Sequence, residues 1–87
     1  MLRFFPVSTI KIDRSFLVGL PDSVPNRAIV KATIALASEL RINVVAEGVE
    51  NEQQFRFLKY LGCDYFQGYF FAEPISSDVL EELLVKN

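Results

Sequence analysis

Histidine and tryptophan are absent from the chain, and cysteine occurs once, at Cys63. Without a second cysteine there is no intrachain disulfide, and without histidine the Cys/His spacing of a zinc site cannot be assembled. A lone cysteine in an apolar stretch reads as a small core residue. Charge of one sign is nowhere concentrated: nine basic and eleven acidic residues are scattered to a net charge of −2. No basic stripe exists to neutralise a phosphate backbone, which excludes DNA and RNA as partners. Apolar runs fall far short of the ~18–20 residues that span a bilayer. Met1 to Pro6 lacks the charged start, long apolar run and cleavage site of a signal peptide. The expectation is a cytoplasmic chain with no membrane segment. Low-complexity tracts and linkers are missing too, so the chain reads as one continuous unit.

What is abundant is apolar. Over 87 residues, 51% are hydrophobic and 13% aromatic. That suits one small globular domain. A chain this short buries only about 60% of its unfolded surface, so eight Phe and three Tyr ask for more partner surface than the chain supplies.

Strand and helix patterns alternate. Ser8 to Ile12 is short and rich in β-branched residues, after the turn signal Pro6. From Pro25 to Leu40, Ile29, Thr33, Leu36 and Leu40 fall at helical spacing, with Val30, Ile34 and Ala37 alongside. Pro25 suits a first helical turn, where its missing N–H is not needed. Asn43 to Ala46 is a second buried-strand pattern. Asn51 can cap a helix with Phe55, Leu58 and Leu61 on its apolar face and Gly62 at its stop. Tyr65 to Tyr69 reads as a third strand. After Pro74, Ser77 or Asp78 opens a last helix carrying Val79, Leu80, Leu83 and Leu84. The fold class is therefore α/β: three consecutive β-α units with a parallel sheet and right-handed crossovers. Periodicity leaves open whether the units belong to a doubly wound sheet or to an eight-stranded barrel.

Each strand ends on polar residues that a core strand does not need: Lys11 and Asp13, then Glu47 and Glu50, then Gln67. In parallel α/β folds the C-terminal strand ends form the active-site face. A lysine, two carboxylates and an amide converging there suit metal-assisted hydrolysis. The carboxylate binds a cation or accepts a proton, and the ammonium stabilises anionic charge. The same residues also have plain structural uses. Lys-x-Asp is often a solvated ion pair, Glu-x-x-Glu often opens a helix where the dipole favours acids, and Gln67 can satisfy backbone groups.

Three blocks in order narrow the choice. Lys11-Ile12-Asp13-Arg14-Ser15-Phe16, Val44-Val45-Ala46-Glu47-Gly48-Val49-Glu50 and Leu61-Gly62-Cys63-Asp64-Tyr65-Phe66-Gln67-Gly68-Tyr69 resemble the last conserved blocks of the EAL domain. Asn26 to Val30 and Pro74 fit the same pattern, and the resemblance runs from about Phe5 to Leu84. It implies the last part of a (β/α)8 TIM-type barrel and a phosphodiesterase that opens cyclic di-GMP to the linear dinucleotide with Mg²⁺ or Mn²⁺. By resemblance, Lys11 is the active-site lysine near water and phosphate, and Glu47 is the glutamate of metal binding or base catalysis. Glu50 supports the metal-site loop, Asp13 gives local hydrogen bonds, Gln67 lies on the rim, and Gln67 and Pro74 are placed toward substrate.

The departures from the family pattern set a second expectation. No Glu-Ala-Leu signature and no Asp-Asp-Phe-Gly block occur, and those segments carry most of the family's metal ligands. Glu73 stands where many relatives carry a basic residue. Met1 falls inside the expected barrel, so residues 1–87 read as a C-terminal fragment whose upstream strands are absent. Hard divalent cations want about six oxygen ligands, so no metal is expected to bind tightly to this chain, which is expected to be inactive alone. The alternatives are a degenerate EAL remnant that binds nucleotide or protein, and an unrelated α/β enzyme or response-regulator-like domain. Missing barrel strands would leave Val44, Val45, Tyr65, Phe66, Phe70 and Phe71 near exposed surface, which predicts a homo-oligomer, with a dimer expected.

Overall fold

The computed structural model describes residues 9–68 and 71–85. Along the chain these form β1 (Thr9–Ile12), a 3-10 turn (Arg14–Phe16), α1 (Val24–Leu40), β2 (Asn43–Val49), α2 (Glu52–Leu61), β3 (Tyr65–Gly68), β4 (Phe71–Ser76) and α3 (Ser77–Val85). Ser8 and Tyr69, at the margins of two expected strands, lie outside the described residues.

The helix boundaries follow from side chains that satisfy unpaired end groups. Ser23 Oγ accepts from the Asn26 amide at 3.4 Å, with proline in the first turn of α1. Asn51 Oδ1 accepts from the Gln54 amide at 2.8 Å to open α2. Ser76 Oγ accepts from the Val79 amide at 3.3 Å at the head of α3. Helix α2 stops at Gly62, left-handed at φ 104°, whose N–H reaches the carbonyls of Leu58 and Lys59. This positive φ is the reason for glycine there.

The sheet has the order β1-β2-β3-β4, with β1, β2 and β3 parallel and β4 antiparallel to β3. The parallel β-α order is as expected. The fourth strand is an addition to the three expected, since Pro74 was placed only ahead of the last helix. Pro74 instead lies inside β4 and is exposed. Strand β4 is an edge strand, the place where a residue without an N–H is tolerated within a sheet.

Alternation along the strands sorts the two faces. Ile12, Val44, Ala46 and Phe66 are at most 4% exposed and join one core with Val30, Ile34, Ala37, Phe55, Leu58 and Leu80 of the three helices. Phe55 and Phe66 meet edge to face, with centroids 4.9 Å apart and rings at 74°. Val44 and Phe66 therefore pack beneath the helices instead of lying near exposed surface. Val45, on the opposite face, is also buried, flanked in register by Lys11 and Tyr65. Of the expected exposed set, Tyr65 is exposed. Phe70 and the side chain of Phe71 lie outside the described residues.

Helix α1 is where expected, and its packing picks one of two apolar stripes. Its core face is Val30, Ile34 and Ala37, while Ile29, Leu36 and Leu40 are exposed. Both stripes have helical spacing, and only the docking of α1 on β2 selects between them. Helix α3 is tied to α2 by Glu81, whose carboxylate accepts from Arg56 and from Lys59 Nζ, the latter at 2.7 Å. Cys63 is a core residue, its thiol 3.3 Å from the Tyr65 carbonyl oxygen. Burial pushes that thiol up to about 12.

Candidate functional site

Lys11 pairs in register with Val45, and Glu47 with Gln67. These positions alternate with the core residues, so Lys11, Glu47 and Gln67 share the face away from the helices, near the C-terminal ends of the parallel strands. Lys11 Nζ stands 3.7 Å from Glu47 Oε2, with the side chains 63% and 33% exposed. A pair this wet contributes little to stability, about 0–1 kcal/mol at most. Its interest is chemical: an ammonium and a carboxylate are held together at a strand-end rim. Gln67 is half-buried beside Glu47.

A local break in β2 gives Glu47 its direction. In an uninterrupted strand Glu47 and Val49 would share a face. The β2–β3 register shifts between them, and Gly48 takes φ 79°. This bulge leaves Glu47 on the open face and returns Val49, 1% exposed, to the core. Re-aiming side chains next to functional sites is a common use of bulges. A Cβ on Gly48 would fall 2.3 Å from the Arg14 Cβ, so the 3-10 turn after β1 rests directly on the bulge. The chain bearing Lys11 and the chain bearing Glu47 touch there.

The supporting residues are placed differently. Asp13 Oδ2 accepts from the Ser15 amide at 2.9 Å and caps the 3-10 turn. Hydrogen bonding by Ser15 holds the Asp13 carboxyl below its usual range. Glu50 is exposed, and its amide donates to Gln54 Oε1 at 2.6 Å. Pro74 sits on edge strand β4. The sequence reading passed over Gln54, a buried polar residue of α2 that binds both rim loops. Its signal was present as Asn51-x-x-Gln54, a capping-box pattern.

A cation at this rim would find one carboxylate, already beside an ammonium. No group of three His, Cys, Asp or Glu residues that could hold a metal occurs among the described residues. Against the about six oxygens of a Mg²⁺ shell, these residues alone do not fit the metal.

Three parallel β-α units, a Lys-Glu pair at their C-terminal ends and the glycine bulge beneath it can be set against known proteins. The family model of the EAL domain matches residues 1–74. The chain belongs to the EAL domain family. The cyclic di-GMP phosphodiesterase NbdA of Pseudomonas aeruginosa is 45% identical over 83 residues, 95% of this EAL chain but 11% of that protein. The cyclic di-GMP phosphodiesterase RocR of the same organism is 42% identical over 71 residues, 82% of this chain and 18% of RocR. Among solved structures, the PaMucR phosphodiesterase in complex with c-di-GMP superposes with TM-score 0.71 and 43% identity, over 86% of this chain and 33% of that one. The EAL domain of Mycobacterium smegmatis DcpA gives TM-score 0.69 and 42% identity, over 93% of this chain and 36% of that one. The chain thus spans about a tenth to a fifth of these curated relatives and a third of the solved EAL chains. Its four-stranded sheet and three helices are a partial piece of the EAL barrel.

Proposed function

We propose that this chain is the part of a cyclic di-GMP phosphodiesterase that supplies Lys11 and Glu47 to the hydrolytic site, and that it has no hydrolytic activity by itself. The observation that carries the reading is the 3.7 Å Lys11–Glu47 pair at the strand-end rim of an EAL chain. At such a rim the Lys11 ammonium neutralises charge on non-bridging phosphate oxygens as the P–O bond breaks. Glu47 accepts the proton of the attacking water, or offers a carboxylate oxygen to a cation. Gln67, in register with Glu47, and Pro74 line the substrate side, while Asp13 and Glu50 support the loops. Mg²⁺ or Mn²⁺ supplies Lewis acidity only in a complete domain, where other segments bring the remaining ligands.

The test has two arms. Purified chain incubated with cyclic di-GMP and Mn²⁺ is expected to yield no linear product; turnover at the ordinary enzyme scale of about 1–10³ s⁻¹ refutes the inactivity. In a complete domain carrying this segment, Glu47→Gln and Lys11→Ala are each expected to lower kcat by about 10²-fold or more with folding intact. Near-parental kcat in either variant removes that residue from its role.

A second reading, a non-catalytic remnant binding nucleotide or protein, is favoured by the shortage of metal-binding groups among the described residues and by the exposed acidic Glu73. Cyclic di-GMP binding without hydrolysis by the complete domain would select it. Self-association goes with either reading, supported by exposed Ile29, Leu36 and Leu40 on α1. A monomer mass across a dilution series in light scattering refutes it. No described helix is long and apolar enough to cross a membrane.

A further inference from the structure

Gln54 is the one polar side chain buried among the described residues, 4% exposed in the first turn of α2. In a capping box, the residue at this position turns back to the amide of the capping residue, here Asn51. Gln54 reaches further. Its Oε1 accepts from the Glu50 amide at 2.6 Å, and its Nε2 donates to the Leu17 carbonyl at 3.0 Å. Glu50 directly follows β2, and Leu17 closes the 3-10 turn after β1. One amide therefore joins the two loops that leave the strands of Glu47 and Lys11.

A core position needs only bulk, and an apolar side chain would fill it. A buried amide is kept at a cost unless both ends are paired, and here each end is paired to a different rim loop. The backbone of Gln54 is itself held by the Asn51 cap at 2.8 Å, so the linkage is anchored on a helix. The contact of Arg14 on Gly48 joins the turn after β1 to the bulge of β2, a second link between the two segments. Both links lie just after Lys11 and Glu47 along their segments.

We propose that Gln54 is a positioning residue: it clamps the β1–α1 and β2–α2 loops together and so holds Lys11 and Glu47 at working distance. Its consequence for catalysis rests on the phosphodiesterase reading above; the clamp itself does not. Gln54→Met keeps length and bulk and loses both hydrogen bonds. Gln54→Glu separates them, because a carboxylate accepts from the Glu50 amide but cannot donate to Leu17.

The clamp is read in the 87-residue chain by amide exchange and by proton–proton contacts between Lys11 and Glu47 in NMR. In Gln54→Met, exchange of the Glu50 amide should quicken by about tenfold or more while Val44 and Ala46 keep their protection. In Gln54→Glu, Glu50 should stay protected while the Lys11–Glu47 contacts weaken. In the complete domain, both variants should lower kcat by about 10²-fold with KM nearly unchanged, as a misplacement of about 1 Å does. Parental kcat in folded Gln54→Glu, or undiminished Lys11–Glu47 contacts in folded Gln54→Met, overturns the proposal. Should Gln54→Met unfold, Gln54→Glu decides alone. A parental domain without turnover refutes the phosphodiesterase reading instead, and the NMR contacts then judge the clamp.

Discussion

Gly68 is the position where one added methyl group should cost most. Its φ is 127°, a conformation that L side chains rarely adopt, and an added Cβ would lie 2.3 Å from the Val49 carbonyl oxygen and 2.6 Å from the Val49 nitrogen. Both atoms are backbone, so no side chain can swing away. Gly68→Ala must therefore push β3 away from β2 by several tenths of an ångström. Strain at such a φ is worth about 1–3 kcal/mol, and a weakened inter-strand hydrogen bond adds about 1 kcal/mol. A total near 3 kcal/mol is a large fraction of the about 5–15 kcal/mol by which native domains are stable. Gly62→Ala is the control: its φ is 104°, but the nearest atom to an added Cβ is a flexible Ile34 methyl at 3.9 Å. It should cost about 1–2 kcal/mol, the backbone term alone. Urea denaturation followed by circular dichroism measures both. Equal losses for Gly68→Ala and Gly62→Ala would show that β2 and β3 do not approach as described, and the placement of Gln67 beside Glu47 would fall with them.

Three further outcomes are expected. Phe66→Ala should cost about 3–5 kcal/mol, seen as loss of cooperative unfolding, because Phe66 is fully buried and edge to face with Phe55; a loss under 1 kcal/mol is incompatible with that core. Cys63 has its pKa raised from 9.0 to about 12, so the folded state favours the neutral thiol. The resulting stability is complete below about 9 and is lost as pH rises toward about 12, on the order of 4 kcal/mol; Cys63→Ala should flatten this alkaline dependence. Glu81 has its pKa lowered, first by Lys59 and then by Arg56. Its contribution is present above the ordinary carboxylate range and disappears as pH falls through it, so the protection of α3 amides, taken relative to their intrinsic exchange rate at each pH, should fall in acid, and Glu81→Gln should abolish that dependence.

Much of the fold was legible because its signals are local. Asn51 and Gly62 mark the ends of α2 by satisfying end groups within one turn, and β1, β2 and β3 show as short apolar runs between them. The motif order placed Lys11, Glu47 and Gln67 at successive strand ends. Other features depended on packing at long range. Helix α1 carries two apolar stripes, and only its seat on the sheet decides that Val30, Ile34 and Ala37 face inward while Ile29, Leu36 and Leu40 face out. Strand β4 was hidden because Pro74 signals a turn unless the strand is known to lie at an edge. The bulge at Gly48 is a register shift between two strands, so one strand's sequence cannot contain it. Gln54 could be read as a cap, but the second end of its amide meets Leu17, 37 residues away. By itself the sequence determined the three helices and the three parallel strands, because caps, turns and periodicity act over a few residues. Tertiary structure alone decided which face is core and how the loops of Lys11 and Glu47 are joined, because both depend on groups that only the folded chain brings together.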